Sequence, residues 1–401
     1  MTVLTEKLNE ITKEKSGVIR LTLSDFRNYR NLRLEADIAP IIITGENGSG
    51  KTNILEAISF LTPGRGLRGS RLADIKRIQS PKENTWNPDG CWSVAAEILK
   101  NNDDFLIGTG TQKNFREDAT EDEVKNFERR IVKINQQKIA QQSELGKYIS
   151  AIWITPQMDR LFLGGTQPRR SFLDRLVYAF DLEHAKRTAN FEHLYRQWFQ
   201  ILKSGHPDEY WLQSVENDMS TLGVAIAAAR RELIARLNTF IAHEPDDIFP
   251  DVRLELDGTI EKMLDTLPAV KVEQFYAEQL ARQRRNVLYN DYVDGVNRTD
   301  FKVYFKKKNM PAELCSTGEQ KALLVSIILA QTKCQILDKG FAPILLLDEV
   351  TTHLDDKKRD ALLSKIANLH LQAWITSTEP QNFDIIKNIS QFFEVKNNKV
   401  I

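Results

Sequence analysis

The chain has 401 residues, room for two or three domains, and its 41% hydrophobic and 27% charged residues are the balance of a folded globular protein. No apolar run approaches the length of a membrane span. Fifty-five basic residues balance fifty-five acidic ones, which excludes nucleic-acid binding through overall charge and leaves only local basic patches for it.

Residues 1–17 are polar and charged, without the apolar core of a signal peptide, and read as a loose extension of a cytoplasmic protein. Residues 18–23 and 31–38 alternate apolar and polar, as half-buried strands do. Pro40 leads into a β-branched run over 41–44, predicted as a buried strand. A glycine-rich turn and a helix over 52–61 follow. Strand signals recur at 92–98, 105–108, 130–134 and 152–154, so this half is predicted as mixed α/β structure with a sheet at its centre. The polar, charged stretch 113–127 has the pattern of a surface loop. Cys91, Cys315 and Cys334 are too few and too scattered for a zinc motif or a disulfide framework and are expected as reduced thiols.

From Pro168 the character changes. Residues 170–202 run without proline or glycine, with Phe172, Leu173, Leu176, Val177 and Phe180 at helical spacing. Residues 210–242 read as another long helix, with Leu212, Val215, Met219, Leu222 and Ile226 on one face, and 274–288 as a third. At about 30 residues or fewer, each spans roughly 45 Å at most. Residues 253–256 and 301–305 are predicted strands at the edges of this helical insert. An apolar helix over 323–337 and strands at 344–347, 373–376 and 392–396 close the chain.

Gly45-Glu46-Asn47-Gly48-Ser49-Gly50-Lys51-Thr52, continued by Asn53, fits G-x-x-x-x-G-K-[ST] at every fixed position, with a strand before it and a helix after it. Glycines let the backbone wrap phosphate oxygens where a side chain would collide. Successive N–H groups and the helix N-terminus supply positive potential. Lys51 reaches the β- and γ-phosphates, and Thr52 places a hydroxyl on Mg²⁺. This pattern calls for ATP.

Pro343-Ile344-Leu345-Leu346-Leu347-Asp348-Glu349 is an apolar run ending in two carboxylates. A buried parallel strand is apolar throughout, and its carboxyl end is where a doubly wound sheet places its ligand. Asp348 is expected to hold Mg²⁺, directly or through water. Glu349 is expected to act as the general base that orients and deprotonates the attacking water.

Cys315-Ser316-Thr317-Gly318-Glu319-Gln320-Lys321 opens an apolar helix with a serine cap and small residues, fit for an anion at a helix N-terminus. It resembles the signature of ABC ATPases, with Cys315 where that family usually has leucine. The resemblance implies that Ser316, Thr317, Gly318, Glu319 and Gln320 contact ATP held by a second copy, two ATPs being sandwiched between two heads. Leu354-Asp355 sits where such proteins carry the D-loop. Gln157, after the strand at 152–154, is the candidate Q-loop glutamine near the metal. The switch histidine is replaced by Ser377-Thr378-Glu379.

The stretch between Lys51 and Ser316 is longer than in transporter ATPases and lacks the sustained heptads of SMC and RecN arms. Asp25-Phe26-Arg27-Asn28-Tyr29, Gly64-Arg65 with Arg68, and Arg169-Arg170-Ser171-Phe172-Leu173-Asp174 resemble motifs of the RecF family, as do the signature and the acidic strand. Gly295-Val296-Asn297-Arg298-Thr299-Asp300 departs from that family's G-P-H-R-D-D, and of this loop only Arg298 is carried over. The resemblance implies an α/β fold: an ABC-type, SMC-like P-loop ATPase head at 18–165 and 310–401, interrupted by a mostly helical arm at 166–309. It further implies ATP-dependent homodimerisation, slow hydrolysis acting as a timer, RecR and RecO as partners, and help in loading recombinase at DNA gaps or junctions.

For DNA, Arg65, Arg68, Arg71, Lys76 and Arg77 stand against one acid, Asp74. Such a cluster neutralises phosphates without reading sequence. Arg27 and Arg30 lie in the turn before the phosphate loop and are expected to join it or to contact ATP. Lys302, Lys306, Lys307 and Lys308 form a second group. Two other readings of the ATPase are a transporter subunit, against which the arm speaks, and a non-hydrolysing SMC-like head, against which Glu349 speaks.

Overall fold

In the computed structural model, which describes residues 8, 10–12, 15–77, 91–113, 128–204, 208–243, 248–290, 293–396 and 398–401, the early alternating pattern becomes an antiparallel hairpin. Strands β1 (Ser16–Phe26) and β2 (Tyr29–Glu35) pair with Leu21 opposite Leu34 and Leu23 opposite Leu32, all four buried. After β3 (Pro40–Gly45) and helix α1 (Lys51–Ser59) come β4 (Ser93–Lys100), β5 (Asp103–Lys113), β6 (Glu128–Ile134), β7 (Gln137–Lys138) and β8 (Ala151–Ile154). The predicted loop lies outside the described residues, apart from Lys113 at the end of β5.

Next come α2 (Thr166–Tyr178), α3 (His184–Lys203), α4 (Glu209–His243), β9 (Val252–Asp257), α5 (Thr259–Met263), α6 (Ala269–Asn290), β10 (Asp300–Phe305), β11 (Met310–Pro311) and α7 (Thr317–Lys339). The chain ends with β12 (Ile344–Asp348), α8 (Asp356–Asn368), β13 (Ala373–Ser377), β14 (Gln391–Lys396) and β15 (Lys399–Val400). Two compact units result: residues 1–158 with 332–401, and residues 159–331.

The first unit holds two sheets rather than the single central sheet expected for the first half. One is antiparallel, in the order β2-β1-β4-β5-β6-β7; the other runs β15-β14-β3-β13-β12-β8 and is parallel except for β15. The sequence carries the distinction. Alternating strands have one wet face and join the antiparallel sheet, whereas the continuous apolar runs 41–43 and 344–347 are buried on both faces. Phe26, Phe60 and Trp92 lock α1 onto the antiparallel sheet, with Phe26 edge-on to Trp92 at 5.5 Å. Gln372, fully buried, joins the two sheets. Its amide accepts from Val18 N at 2.9 Å and donates to Val18 O at 2.7 Å and Asp37 O at 2.8 Å.

In the second unit the expected single helix over 170–202 is two. With neither proline nor glycine present, the chain tightens through Ala179 N to Leu176 O and Phe180 N to Val177 O, and Asp181 Oδ1 accepts from Glu183 N at 3.1 Å. Such an Asx turn competes with helical bonding. The break buries His184, whose Nε2 meets Asp174 Oδ1 at 2.9 Å. Helix α4 exceeds the expected limit, at 35 residues or about 52 Å. Its Arg230 is almost fully buried and binds Asp174 through two hydrogen bonds, of 2.8 and 2.9 Å. Arg169 likewise grips Asp300 at 2.7 and 2.9 Å. Arg169 and Asp174 of one arm motif and Asp300 of the other, with Arg230 of α4, thus hold this unit together.

Candidate functional site

The parallel sheet aligns the carboxyl ends of four strands. Thr44 of β3 is registered on Ser377 of β13, Thr376 on Asp348 of β12, and Leu347 on Ile154 of β8. The phosphate loop, the acidic pair and the 3-10 turn Pro156–Arg160 carrying Gln157 therefore leave the sheet at one edge. Gln157 itself is exposed there.

The loop between β3 and α1 is fixed from outside. Asn28 Nδ2 donates to Ser49 O and the Tyr29 hydroxyl to Gly50 O, both at 3.2 Å. Gly50 has φ 111°, and a Cβ there would stand 2.2 Å from Asn28 Nδ2; at Gly45, φ 148°, it would stand 2.4 Å from Val395 O. Glycine is the residue both positions accept. Gly50 caps α1 without a side-chain bond, and with Asn53 N bonded to Gly50 O at 3.0 Å the N–H groups of Lys51 and Thr52 are left for an anion. Glu46, Asn47 and Gly48 are exposed. Asn53, one turn into α1, donates to Asn28 Oδ1 at 2.7 Å.

Lys51 Nζ donates to Gly45 O at 2.7 Å and Glu46 O at 2.9 Å. Burial lowers its pKa, against the opposing pull of Glu349 and Asp348. Ser49 Oγ is buried without a hydrogen-bond partner among the described residues. An orphaned hydroxyl in a glycine cradle, beside a lysine and a bare helix N-terminus, fits the oxygens of a bound polyphosphate.

Thr52 Oγ1 donates to Asp348 Oδ1 at 2.8 Å, and Thr376 Oγ1 donates to the same oxygen at 2.7 Å. The Thr376 hydroxyl also accepts from Glu349 N at 3.0 Å, and Glu349 sits in the left-handed region at φ 49°. A non-glycine residue held there stores strain, a common property of working sites. No group of three or more histidines, cysteines or carboxylates gathers among the described residues. The donor set is one hydroxyl and one carboxylate, which suits Mg²⁺ completed by phosphate oxygens and water.

Glu56, fully buried on α1, accepts from Arg27 at 2.6 and 2.8 Å and from Arg68 at 2.7 Å, and Arg77 pairs with Asp25 at 3.3 Å. Within the predicted basic cluster, Arg68 and Arg77 are thus committed to internal acids, while Arg65, Arg71 and Lys76 are exposed. In the second group Lys302 pairs with Asp257 at 2.6 Å and Lys308 with Glu319.

The signature residues lie in the second unit. Ser316 caps α7 in a reciprocal box: its N–H and Oγ both meet Glu319 Oε2 at 2.9 Å, and its Oγ lies 3.4 Å from Glu319 N. Lys308 and the Ser316 donors hold the Glu319 carboxyl down at about 2. Ser316 and Thr317 are exposed, Gly318 is half-buried, and Gln320 is buried and donates to Cys315 O at 3.0 Å. Asp355 is the N-cap of α8 and accepts from Lys358 N at 2.9 Å.

Thr376, Asn28 and Tyr29 were not singled out as site residues from sequence. For Thr376 the available signal was a hydroxyl ending an apolar strand. For Asn28 and Tyr29 it was their place in the Asp25-Phe26-Arg27-Asn28-Tyr29 motif, to which no contact with the glycine loop was assigned.

Residues 17–400 match the RecF/RecN/SMC N-terminal domain. The DNA replication and repair protein RecF of Rhizobium meliloti (strain 1021) is 38% identical over 388 residues, covering 96% of this chain and 99% of its own. That of Rhizobium rhizogenes (strain K84 / ATCC BAA-868) is 40% identical over 383 residues, covering 95% and 97%. This chain belongs to the RecF family. In three dimensions it superposes on the recombination mediator protein RecF-ATPrS of the RecFOR pathway with TM-score 0.80, at 18% identity over 96% of this chain and 98% of that one. An Smc head domain from Pyrococcus furiosus follows at TM-score 0.52 and 15% identity, over 96% of each chain. These likenesses establish for the RecF-family chain the ABC-type head fold that the phosphate loop and acidic strand suggested. Among its described residues no helix is long and apolar enough to cross a membrane.

Proposed function

We propose that the chain is an ATP-dependent DNA-binding protein of DNA replication and recombinational repair, working in the cytoplasm with RecR and RecO as partners. The observation that carries this reading is the linked set Thr52, Asp348, Thr376 and Glu349, joined by hydrogen bonds of 2.7–3.0 Å at the mouth of the phosphate loop. The names of its RecF relatives support the repair assignment.

In this reading the amides of residues 45–52 and the Lys51 ammonium bind the phosphates of ATP. Thr52 and Asp348 hold Mg²⁺, with Gln157 beside it, and the ion's chemistry is to neutralise phosphate charge. Glu349, presented by its strained backbone, takes the proton of the attacking water. Ser316 to Gln320 and Asp355 face a second copy, so ATP closes a homodimer and slow, DNA-stimulated hydrolysis reopens it. Arg65, Arg71 and Lys76, with Arg68 and Arg77 behind them, meet the phosphates of gapped or junction DNA.

The test is DNA binding with and without ATP, on single-stranded, duplex and gapped DNA, beside sizing chromatography. The parent is expected to dimerise and bind DNA with ATP, and Lys51→Ala to do neither. A Lys51→Ala protein that dimerises like the parent contradicts the reading.

A further inference from the structure

At the far end of α1 from the phosphate loop, about 13 Å along the helix, the antiparallel sheet and the loop after α1 enclose a cleft of about 770 Å³. Arg65 and Arg71 of that loop, Arg129 of β6 and Lys138 of β7 line it, all four exposed. No carboxylate lines it among the described residues. Its apolar wall includes Leu72 and Ile139.

The floor holds a fifth cation. Arg130 is buried, yet each of its partners is neutral: Thr109 Oγ1 at 2.8 Å, Gly64 O at 2.5 Å, Gln142 Oε1 at 3.2 Å, Thr62 O at 3.3 Å, and Phe60 O. Burial lowers its pKa to about 10, so it stays charged at neutral pH. The carbonyl-rich end of α1 offsets part of that charge. Among the described residues no carboxylate pairs with the four exposed cations, and together they set a positive potential that an anion would neutralise.

We propose that this cleft binds the sugar–phosphate backbone of an unpaired DNA strand, with Arg129 and Lys138 joining Arg65 and Arg71 as its phosphate contacts. The proposal rests on the DNA-binding reading above and adds two strands of the sheet to it. Cations spread around a partly apolar cavity of this size suit the nucleotide units of one strand, whose bases turn away from its phosphates, better than the outer face of a duplex.

With ATP saturating, the experiment titrates the full chain with a fluorescent oligo-dT across a salt series, and fluorescent ATP is titrated separately. In the double variant Arg129→Gln/Lys138→Gln, loss of two phosphate contacts is expected to weaken strand binding about 25-fold at 0.1 M salt and to flatten the salt slope by about 1.4, since each contact releases about 0.7 ion. ATP binding should equal the parent's. The charge-keeping pair Arg129→Lys/Lys138→Arg should bind the strand as the parent does. If the Gln pair binds the strand with parental affinity and slope, the cleft is wrong while the DNA reading stands. An equal loss in the charge-keeping pair also overturns it, because charge would not be the cause. With the phosphate loop kept filled by saturating ATP, displacement of the strand by tripolyphosphate at equal phosphate concentration reassigns the cleft to a small anion. A parent that with ATP binds neither this strand nor the duplex and gapped DNAs takes down the DNA reading and this proposal together.

Discussion

Thr376 Oγ1 stands 2.7 Å from Asp348 Oδ1 and takes the next residue's N–H, from Glu349, at 3.0 Å. One hydroxyl on β13 therefore orients the carboxylate assigned to the metal and the backbone that aims the assigned base. The valine isostere keeps the volume and loses both bonds. Thr376→Val is expected to lower turnover by roughly 10–100-fold, the worth of one hydrogen bond to a charged group. ATP affinity should fall much less, since the phosphate loop is untouched. Steady-state hydrolysis set against equilibrium ATP binding separates the two, and an equal loss in both would make Thr376 merely structural.

Glu349→Gln removes the proposed proton acceptor and keeps the shape. Turnover is expected to drop by about 10²–10⁴-fold, the usual effect of losing a general base. ATP binding persists, and the ATP-bound dimer outlives the parent's on sizing chromatography. Unchanged turnover in the purified variant removes Glu349 from the role.

What the sequence disclosed and what it concealed divide by the distance between partners. The phosphate loop and the run ending in Asp348 and Glu349 are contiguous patterns, each set by one strand and its following turn, and both were legible. Thr376 acts on a residue 28 positions away, Asn28 on one 21 away, and Gln372 ties β1 from 354 away. Such pairings depend on strand order, which local periodicity does not encode. The break between α2 and α3 escaped because it uses an aspartate turn and a buried histidine instead of proline or glycine. Arg68 and Arg77 read as cations open to DNA phosphates because their acids, Glu56 and Asp25, lie in other elements.

Asp174 links acidity to stability in the second unit. Burial alone would raise its carboxyl, but the Arg230 charge and the hydrogen bonds from His184 and Arg230 bring it from 3.8 to about 2. A carboxyl depressed on folding stabilises the protein above its ordinary range, and that contribution, about 2 kcal/mol, is lost as pH falls from 4 to 2. Asp174→Asn should be less stable at neutral pH by about 3–5 kcal/mol, because Arg230 is left buried without its partner. Its stability should also change less than the parent's between pH 4 and 2. Parallel pH-dependent melting curves for the two proteins would remove Asp174 from this role.

Ser316 is exposed and caps α7, which makes it a test of the two-head arrangement. Ser316→Arg costs the cap, about 1 kcal/mol, too little to unfold the unit. ATP binding by the monomer, measured at low protein concentration, is expected to stay near the parent's, since the phosphate loop is intact. Dimerisation and hydrolysis should both vanish, because a bulky cation keeps the partner's γ-phosphate from the helix N-terminus, where close approach needs small groups. Mixing with Glu349→Gln protein is the decisive step. In the proposed dimer each composite site takes its phosphate loop and base from one copy and its signature from the other. A mixed dimer therefore has one site with an intact Glu349 from the Ser316→Arg copy and an intact Ser316 from the Glu349→Gln copy. Its other site lacks both. Two inactive proteins should together recover up to one working site per mixed dimer. Mixed dimers that demonstrably form and yet hydrolyse nothing would show that Ser316 does not act across the interface.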